Sequence, residues 1–591
     1  MIQNWIYTTG LVILTVLSSV GYAQKNPAIT SDELRSHVTF LADDELQGRK
    51  AGTPTGRKAA EYIRNQFREY GLELLAKEGF QSFELINSVK AGKKNMLEVG
   101  AEKAIPEKDF IPVSFSANDI LSAEVAFAGY GFQIDKKDLK WDDYKNLDVE
   151  GKWVMMFRGD PEPDNPHSPF VTYAMPRSKV VTAEDHNAGG VLFVTPKGMN
   201  EKDQLPGVFY DKTATKSEIP VLTITREYAD KILESTGKDV AELEEKLNNS
   251  RKPHSFAVGV TVAGRADVEM KKATTQNVIA RVKASSSDEY IVVGAHYDHL
   301  GMGGPGSGSR VPDTTAIHNG ADDNASGVAG LIELAGKLQN HKENLQRNIV
   351  FVAFGAEEMG LLGSKYFVAH PPFPLSNVRA MLNFDMIGRM DEKDRNLSVS
   401  GVGTAKEFKS ILESNVGDAT FNLKTSPDGY GPSDHAAFYA ENVPVLFVST
   451  GAHGDYHTPA DDAELLDYMA QEGVVQYAYR VLSDLTGKQQ LTFQKSGSKK
   501  KSRRTRLKVT FGIIPDYSGK VEKGLGVDGV KDGGPADKGG MKKGDIIVSI
   551  EGKPVGDIYE YMHRLQELES GQIITVDVLR DGEKKVLILN L

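Results

Sequence analysis

The chain has 591 residues, of which 40% are apolar and 26% charged, a composition typical of a folded protein that is too long for one domain. Its formal net charge of −11 argues against nucleic-acid binding by the whole chain, because that function needs a basic surface. The absence of cysteine excludes disulfides and cysteine–zinc sites, so any metal must be held by His, Asp and Glu.

The first 23 residues have the pattern of a secretory signal peptide. An apolar stretch from Leu11 to Val20 is followed by small residues ending at Ala23, where we expect cleavage. The usual Lys or Arg near the start is missing, and the alternative is an uncleaved membrane anchor, for which the stretch is short. Cleavage would leave the protein periplasmic or secreted, and no other stretch of the sequence could cross a membrane.

A helix and a β-rich module follow in the chain. Apolar residues at helical spacing from Ala59 to Phe67 predict a helix that ends at Gly71, a typical C′ residue. Between residues 121 and 264, short apolar runs separated by Gly and Pro predict a β-rich module. Within that module, "KVVTAEDHNA" is the predicted helix.

The region from about 275 to 490 predicts an α/β domain. Helices such as 325–339 and 404–415 alternate with five apolar, β-branched runs: "NVIARV", "YIVVGAH", "NIVFVAFGA", "AMLNFDMIG" and "VPVLFVSTG". Runs that are apolar on both faces suit strands covered by helices on both sides, so we expect a mostly parallel central sheet.

The C-terminal part begins with a basic segment. Residues 495–506 carry seven basic residues and almost nothing apolar, which is typical of a solvated linker; contact with an anionic surface is the alternative. Residues 507–591 predict a separate compact domain, with a helix near 557–568 and a closing strand pair around "RDGEK". We expect this domain to fold independently and a protease to cleave within the linker.

Acidic and histidine side chains follow the apolar runs of the α/β domain, at the points where strands end. In an open α/β sheet the ligand site lies outside the carboxyl ends of the strands, so these side chains should converge on one crevice. The candidates are His296, Asp298, Asp322, Asp323, Glu357, Glu358, Asp385 and His457.

So many acids cannot share a crevice as free charges, because their repulsion would cost several kcal/mol or shift their pKa values. Divalent cations resolve the repulsion, and a His/Asp/Glu set without Cys suits zinc at a hydrolytic site. Two metals need a carboxylate that bridges them and small neighbours that let it approach. The segment "DDNASG" at 322–327 offers both.

Five of these motifs resemble those of the M28 zinc aminopeptidases, in the family's order and spacing: "GAHYDHLG", "GADDNASG", "GAEEMGLLGS", "FDMIG" and "YHTPAD". The N-terminal "GRKAGTPTGRKAAEYI" is also similar, so the resemblance covers about 29–490. It implies a zinc-aminopeptidase fold in which a catalytic domain (24–120 and 265–490) carries an inserted protease-associated (PA) domain (121–264).

The resemblance also implies a role for each residue. Asp323 would bridge two zinc ions, with His296 and Asp385 completing one site and Glu358 and His457 the other. Glu357 would bind no metal and would pass a proton from the attacking water to the leaving amine. Asp298 would hold the His296 imidazole as an outer partner.

Other polar residues near the motifs are interpreted as structural. Asp322 is expected to be a solvated or capping acid, and His299, His318 and His453 to lie on the surface or in loops. Two tyrosines match positions at which family members stabilise the oxyanion, Tyr430 before "SDH" and Tyr456 before His457. We favour Tyr430 and expect Tyr456 to serve in packing.

The last domain resembles a PDZ domain over "GGPADKGGMKKGDIIVSIEGKPV". Its "TFGII" segment, 510–514, falls where PDZ domains bind a peptide carboxylate; the alternative is that this loop packs against the catalytic domain.

The sequence is thus interpreted as a periplasmic or secreted di-zinc aminopeptidase acting on peptides, with a C-terminal peptide as a possible PDZ ligand. The alternatives are a zinc carboxypeptidase, for which Arg389 is the obvious cation, a glutaminyl-cyclase-like enzyme, and a non-catalytic PA/PDZ binding protein.

Overall fold

A computed structural model describes residues 28–591 except 164, 166–167, 212–214, 286, 418, 488–489, 497–508, 516–520, 522 and 531–532. The predicted signal peptide and most of the predicted basic linker therefore lie outside the described residues. No helix in the described part of the chain is both long enough and apolar enough to cross a membrane.

The domain predicted to be catalytic, called the catalytic domain below, contains a mixed sheet with nine strands among the described residues. Eight of these strands lie side by side in this order: Glu73–Leu74, Val268–Val282, Asn348–Phe354, Tyr290–His296, Val378–Phe384, Val445–Ser449, Asn396–Ser400 and Asn422–Thr425. Phe80–Ala91 pairs with Val268–Val282 outside this path. A separate two-stranded ribbon joins Gly301–Gly303 to Thr315–His318.

The expected parallel sheet is confirmed only at its centre. The four strands from Asn348–Phe354 to Val445–Ser449 pair in parallel, and two of them are buried at every residue. On one side Val268–Val282 pairs antiparallel with its neighbours, and on the other Asn396–Ser400 runs antiparallel to Val445–Ser449. Apolar runs reveal burial, but they do not encode strand direction.

Helices cover both faces of this sheet. Ile291 and Val293 belong to a core shared with one group of helices, whereas Val292 packs in a second core with Phe367 and Phe438. The catalytic-domain helices are Ser31–Leu41, Pro54–Glu69, Gly327–Asn340, Leu362–Ala369, Phe408–Ser414, His435–Ala440 and Tyr468–Gly487. The second begins after the N-cap Thr53 and ends before Gly71, whose φ of +78° confirms the predicted C′ position.

The inserted module has its own sheet and its own cores. The strand order is Glu102–Lys103, Met96–Val99, Ser255–Arg265, Ile120–Ala128, Trp153–Phe157, Gly190–Val194, Val221–Ile224 and Phe110–Pro112. Its helices are Pro176–Asp185, Arg226–Leu233 and Val240–Ser250, and a hairpin joins Gln133–Lys136 to Leu139–Asp142.

The module therefore begins earlier than residue 121. Strands between 96 and 112, which the sequence analysis placed in the catalytic domain, pair within the module's sheet. These strands are only two to four residues long, and such short runs carry no signal of which sheet they join.

The C-terminal domain has a separate hydrophobic core. Its strands are Ile513–Pro515, Leu525–Val530, Ile546–Ile550, Lys553–Pro554, Ile573–Arg580 and Glu583–Asn590, and its helices are Pro535–Lys538 and Ile558–Glu567. Phe511 of the predicted carboxylate-binding loop packs edge-on against Tyr561 inside this core. Among the described residues, four ion pairs join the domain to the rest of the chain: Arg177 with Asp557, Arg564 with Asp185, Lys543 with Glu441, and Lys523 with Glu218.

Candidate metal centre

Three neighbouring parallel strands deliver most of the candidate residues to one edge of the sheet. His296 is the last residue of Tyr290–His296, Asp385 directly follows Val378–Phe384, and Glu357 and Glu358 lie in the turn after Asn348–Phe354. The carboxyl ends of parallel strands meet at the same edge, and the predicted convergence follows from that geometry.

The segment 321–326 brings Asp323 to this edge, and its small neighbours make the approach possible. A Cβ on Gly320, whose φ is +57°, would lie 2.1 Å from the Asp323 carbonyl oxygen and 2.4 Å from the His299 ring. Asn324 anchors the segment by donating to the Phe384 carbonyl oxygen at 2.9 Å and accepting from the Gly327 amide at 3.0 Å. Side chains at these glycines would push the aspartate away from the strand ends.

Two groups of potential metal ligands share Asp323. One contains His296, Asp323 and Asp385, and the other contains His299, Asp323, Glu358 and His457; within each group the ligand atoms lie within 4.8 Å of one another. His296 Nε2 is 3.2 Å from Asp323 Oδ1, while His457 Nε2 is 3.1 Å from Asp323 Oδ2. The two oxygens of one carboxylate thus face different groups.

Glu357 lies beside these groups but belongs to neither. Its Oε2 is 4.0 Å from His296 Nε2, and the Asp298 carboxylate accepts its backbone N–H at 3.0 Å. Burial raises the pKa of Glu357 well above its usual range, although His296 opposes the shift. Burial also acts to raise the pKa of Asp323, but hydrogen bonds from His296 and His457 outweigh it and hold that pKa well below its usual range.

The sequence analysis predicted that Asp298 would hold the His296 imidazole, but the Asp298 carboxylate does not contact that ring. His296 Nδ1 contacts the Asp298 backbone carbonyl oxygen at 3.1 Å, and the carboxylate instead serves the Glu357 amide. Asp298 is fully buried. It therefore orients both residues, one through its backbone and the other through its side chain, because the chain turns directly after the strand end.

His299 was predicted to have a surface or loop role; it lies in the loop after Tyr290–His296, but it is not at the surface. It is 1% exposed, and its Nδ1 is 2.8 Å from Glu358 Oε1 and 3.8 Å from Asp323 Oδ2. Its Nε2 has no hydrogen-bond partner among the described residues. The tandem placement "HYDH" is the one sequence signal that could have revealed it, since His296 and His299 flank the same turn.

The other structural interpretations need similar correction. Asp322 is fully buried rather than solvated; its Oδ1 accepts the Gly388 amide at 2.6 Å, and its Oδ2 is 3.3 Å from His453 Nε2. His318 is also buried and contacts Ser309 Oγ at 2.8 Å through Nε2. The local polarity of these segments suggested exposure, whereas the packing of loops over the sheet edge buries them.

The structure distinguishes the two candidate tyrosines. Tyr456 stacks on the His457 ring with centroids 3.9 Å apart. Burial is the main cause that raises the pKa of Tyr456, and the nearby acids raise it further. Tyr430 is 40% exposed and packs edge-on against Tyr439. Arg389, the cation considered for a carboxypeptidase, forms an ion pair with Asp455 at 3.2 Å.

Two further residues position the segment that carries Asp323, and the sequence analysis assigned neither of them a role. Asp461 is fully buried and accepts the backbone amides of Asp322 at 3.1 Å and Asp323 at 3.0 Å. Arg49 is also fully buried and donates to the carbonyl oxygens of Asn319 and Gly320. Both lie far from the segment in sequence, so no local pattern connects them to it.

Comparison with known proteins agrees with this geometry. Residues 277–481 match the family model "Peptidase family M28", and residues 504–591 match the model "PDZ domain". The chain therefore contains a peptidase M28 domain, which includes the two candidate metal-binding groups, and a PDZ domain at its C-terminal end.

The chain is similar to curated aminopeptidases. Leucine aminopeptidase 2 of Trichophyton equinum is 31% identical over 208 residues, which cover 33% of this chain and 38% of the relative. The chain thus spans about two fifths of the fungal relatives' length. Aminopeptidase YwaD of Bacillus subtilis (strain 168) is 26% identical over 428 residues, which cover 70% of this chain and 76% of that protein.

Solved structures with a similar chain include an aminopeptidase from Aneurinibacillus sp. strain AM-1, at 22% identity and a TM-score of 0.48, with 79% of this chain and 96% of that one covered. BSAP, a zinc aminopeptidase from Bacillus subtilis, is also 22% identical, with a TM-score of 0.49 and coverage of 78% and 96%.

Proposed function

We propose that the protein is a di-zinc aminopeptidase that removes N-terminal residues from peptides. The observation that carries this proposal is the pair of ligand groups that share Asp323, with Glu357 beside them and in neither. A peptidase M28 domain and aminopeptidase relatives support the same reaction class.

The donor set fits zinc. Imidazole nitrogens and carboxylate oxygens are zinc ligands, and three or four of them with room for a substrate atom are typical of a catalytic site. His299 is buried with Nδ1 against the Glu358 carboxylate and with Nε2 lacking a hydrogen-bond partner among the described residues, so its imidazole is a nitrogen ligand that a cation could bind. The proposed ligands are therefore His296, Asp323 and Asp385 for one ion, and His299, Asp323, Glu358 and His457 for the other.

Zinc ions bound there would activate a water molecule and polarise the scissile carbonyl. Glu357 is the proposed general base and acid, because it belongs to neither group, lies 4.0 Å from His296 and has its backbone held by Asp298. It would accept a proton from the attacking water and deliver it to the leaving amine. Its raised pKa in the protein without metal reflects burial, and neighbouring cations would lower it towards the working range.

Tyr456 is the preferred oxyanion donor. Its ring lies against His457 and is surrounded by the acids of both groups, whereas Tyr430 packs against Tyr439. A phenol O–H at this place can donate to a developing negative charge on the substrate oxygen. This reverses the order in which the sequence favoured the two tyrosines.

The metal assignment is tested with a matched pair of neighbouring acids. Glu357→Gln should keep both zinc ions, counted by elemental analysis, while turnover falls about 10²–10⁴-fold. Glu358→Gln should lose zinc, because this residue is a proposed ligand. Two zinc ions retained by Glu358→Gln, together with zinc loss in Glu357→Gln, would reverse the two roles.

The direction of attack is tested with blocked substrates. A peptide with a free amino end should be cleaved from that end, and its N-acetylated form should be a poor substrate. Efficient cleavage of the acetylated peptide at a free carboxyl end would instead establish a carboxypeptidase.

The accessory domains have proposed roles in location and docking. We propose that the inserted module is a PA domain and that the chain is exported by a cleaved N-terminal signal. The PDZ groove beside Ile513–Pro515 would add a C-terminal peptide as a strand. Amidation of the peptide's C-terminus should weaken that binding, which fluorescence anisotropy would measure.

A further inference from the structure

A small pocket opens beside the metal-binding groups and is closed on one side by the inserted module. Its volume is about 200 Å³, below the ~300 Å³ of pockets that take drug-sized ligands, so it fits a single small group. We call it the Lys50 pocket; its lining includes Lys50, Asn87, Phe209, Tyr210, His299 and Glu358.

The module's contribution is a segment that packs tightly onto the catalytic domain. A Cβ on Gly306, whose φ is +77°, would lie 2.5 Å from Phe209 Cδ2 and 3.1 Å from the Tyr210 carbonyl oxygen. Glycine at this position thus lets the module approach the loop after His299. One wall of the pocket therefore comes from a domain that supplies none of the proposed metal ligands.

Lys50 is the unusual member of the lining. Its side chain runs along Gly301, where a Cβ would meet Lys50 Cβ at 3.0 Å and Cδ at 3.2 Å. Among the described residues, no carboxylate oxygen lies within 4.0 Å of its ammonium group and no hydrogen bond engages it. Burial lowers the pKa of Lys50, and no acid offsets that effect.

The two acids that line the pocket are engaged elsewhere. Asp298 accepts the Glu357 amide, and Glu358 belongs to a metal-binding group. A partly buried cation without an anion is costly, and a carboxylate entering the pocket would remove that cost. A neutral or cationic substrate group would gain no such contact.

We propose that Lys50 binds a carboxylate of the substrate in the Lys50 pocket, so that the inserted module and the catalytic domain together set substrate preference. This inference rests on the proposed aminopeptidase function. The carboxylate has two possible sources, the side chain of an acidic residue and the free C-terminus of a short peptide. Both sources would place one carboxylate group close to the bond that is cleaved.

Two matched substrate pairs separate these sources. Glutamyl p-nitroanilide and glutaminyl p-nitroanilide differ only in a side-chain carboxylate, while leucyl-glycine and its C-terminal amide differ only in the terminal carboxylate. The wild type should prefer the carboxylate member of one pair by about ten- to a hundredfold in kcat/KM, as expected for one charge-assisted contact. The pair that shows the preference identifies the source.

The variants are Lys50→Met, Lys50→Arg and, as the matched control, Lys58→Met. Lys58 is an exposed lysine in the next helix, so its replacement changes the net charge equally without touching the pocket. In Lys50→Met the ratio of kcat/KM between the carboxylate substrate and its neutral partner should fall to about one, mainly through a change in KM. Lys50→Arg should retain much of the preference, and Lys58→Met should retain all of it. Zinc content equal to wild type will show that each variant is folded.

Two results would overturn the proposal. The first is a wild type that cleaves both members of each pair equally, and the second is a Lys50→Met variant with the wild-type preference. If the wild type cleaves none of the four substrates, the aminopeptidase function itself is wrong and the pocket assignment fails with it. Cleavage of the neutral members without any preference refutes the pocket assignment alone.

Discussion

Replacing Arg49 with methionine should destabilise the catalytic domain and loosen the metal-binding segment. The guanidinium is fully buried and donates to four carbonyl oxygens: Tyr297 at 2.8 Å, Leu41 at 2.5 Å, Asn319 at 2.6 Å and Gly320 at 2.9 Å. Burial lowers the pKa of Arg49 to about 10, so it stays charged at neutral pH. It joins an N-terminal helix, a strand end and the segment before Asp323.

The magnitude follows from the acceptors that methionine would leave without a partner. An unsatisfied buried acceptor costs about 1–3 kcal/mol, so four of them at the lower value destabilise the fold by about 4 kcal/mol. At about 2 °C per kcal/mol, the value for larger domains, the transition should shift by about 8 °C. The transition temperature of Arg49→Lys should lie between those of the wild type and Arg49→Met, because an ammonium group keeps the charge but lacks the planar fork of a guanidinium.

The assay is calorimetry of the metal-stripped proteins, followed by zinc titration. Arg68→Met is the control, because Arg68 is exposed on the helix Pro54–Glu69 and its replacement should change stability by no more than about 0.5 kcal/mol. Zinc affinity should fall in Arg49→Met and stay unchanged in the control. An Arg49→Met transition within 2 °C of wild type would refute the reasoning.

Three further predictions concern the site and the domain interface. His299→Gln should weaken the binding of one zinc ion by more than the ~10–100-fold typical of losing an outer partner of a ligand, measured by chelator competition, and unchanged affinity for both ions would exclude His299 as a ligand. Tyr456→Phe should lower kcat more than Tyr430→Phe does, and the opposite order in steady-state kinetics would restore the sequence preference. Burial raises the pKa of Glu184 to about 8 and that of Glu560 to about 7 where the inserted module meets the PDZ domain. The stabilisation from a raised acid pKa is complete below the unfolded value of 4.5, declines as pH rises, and is lost above about 8. Protease should therefore cleave residues 495–506 faster at pH 9 than at pH 6, and equal rates would contradict this.

Several features of the site could be predicted from the sequence because they depend on local order. Buried parallel strands appear as apolar runs, and whatever follows such a run must lie at the carboxyl edge of the sheet. His296, Glu358 and Asp385 therefore come together whatever the loops do. The small residues around Asp323 also act locally, since the clash at Gly320 is with the carbonyl of Asp323 and the ring of His299.

Only the tertiary structure decided which other polar groups join them. Asp461 reaches the amides of Asp322 and Asp323 across more than a hundred residues, and Arg49 reaches Gly320 across 271. Phe209 of the inserted module meets Gly306 of the catalytic domain in the same way. Such contacts depend on how whole elements pack, whereas hydrophobic periodicity reports only the neighbours of each residue along its own helix or strand. For that reason the candidate residues at the strand ends were evident in the sequence, while the residues that hold and enclose them were not.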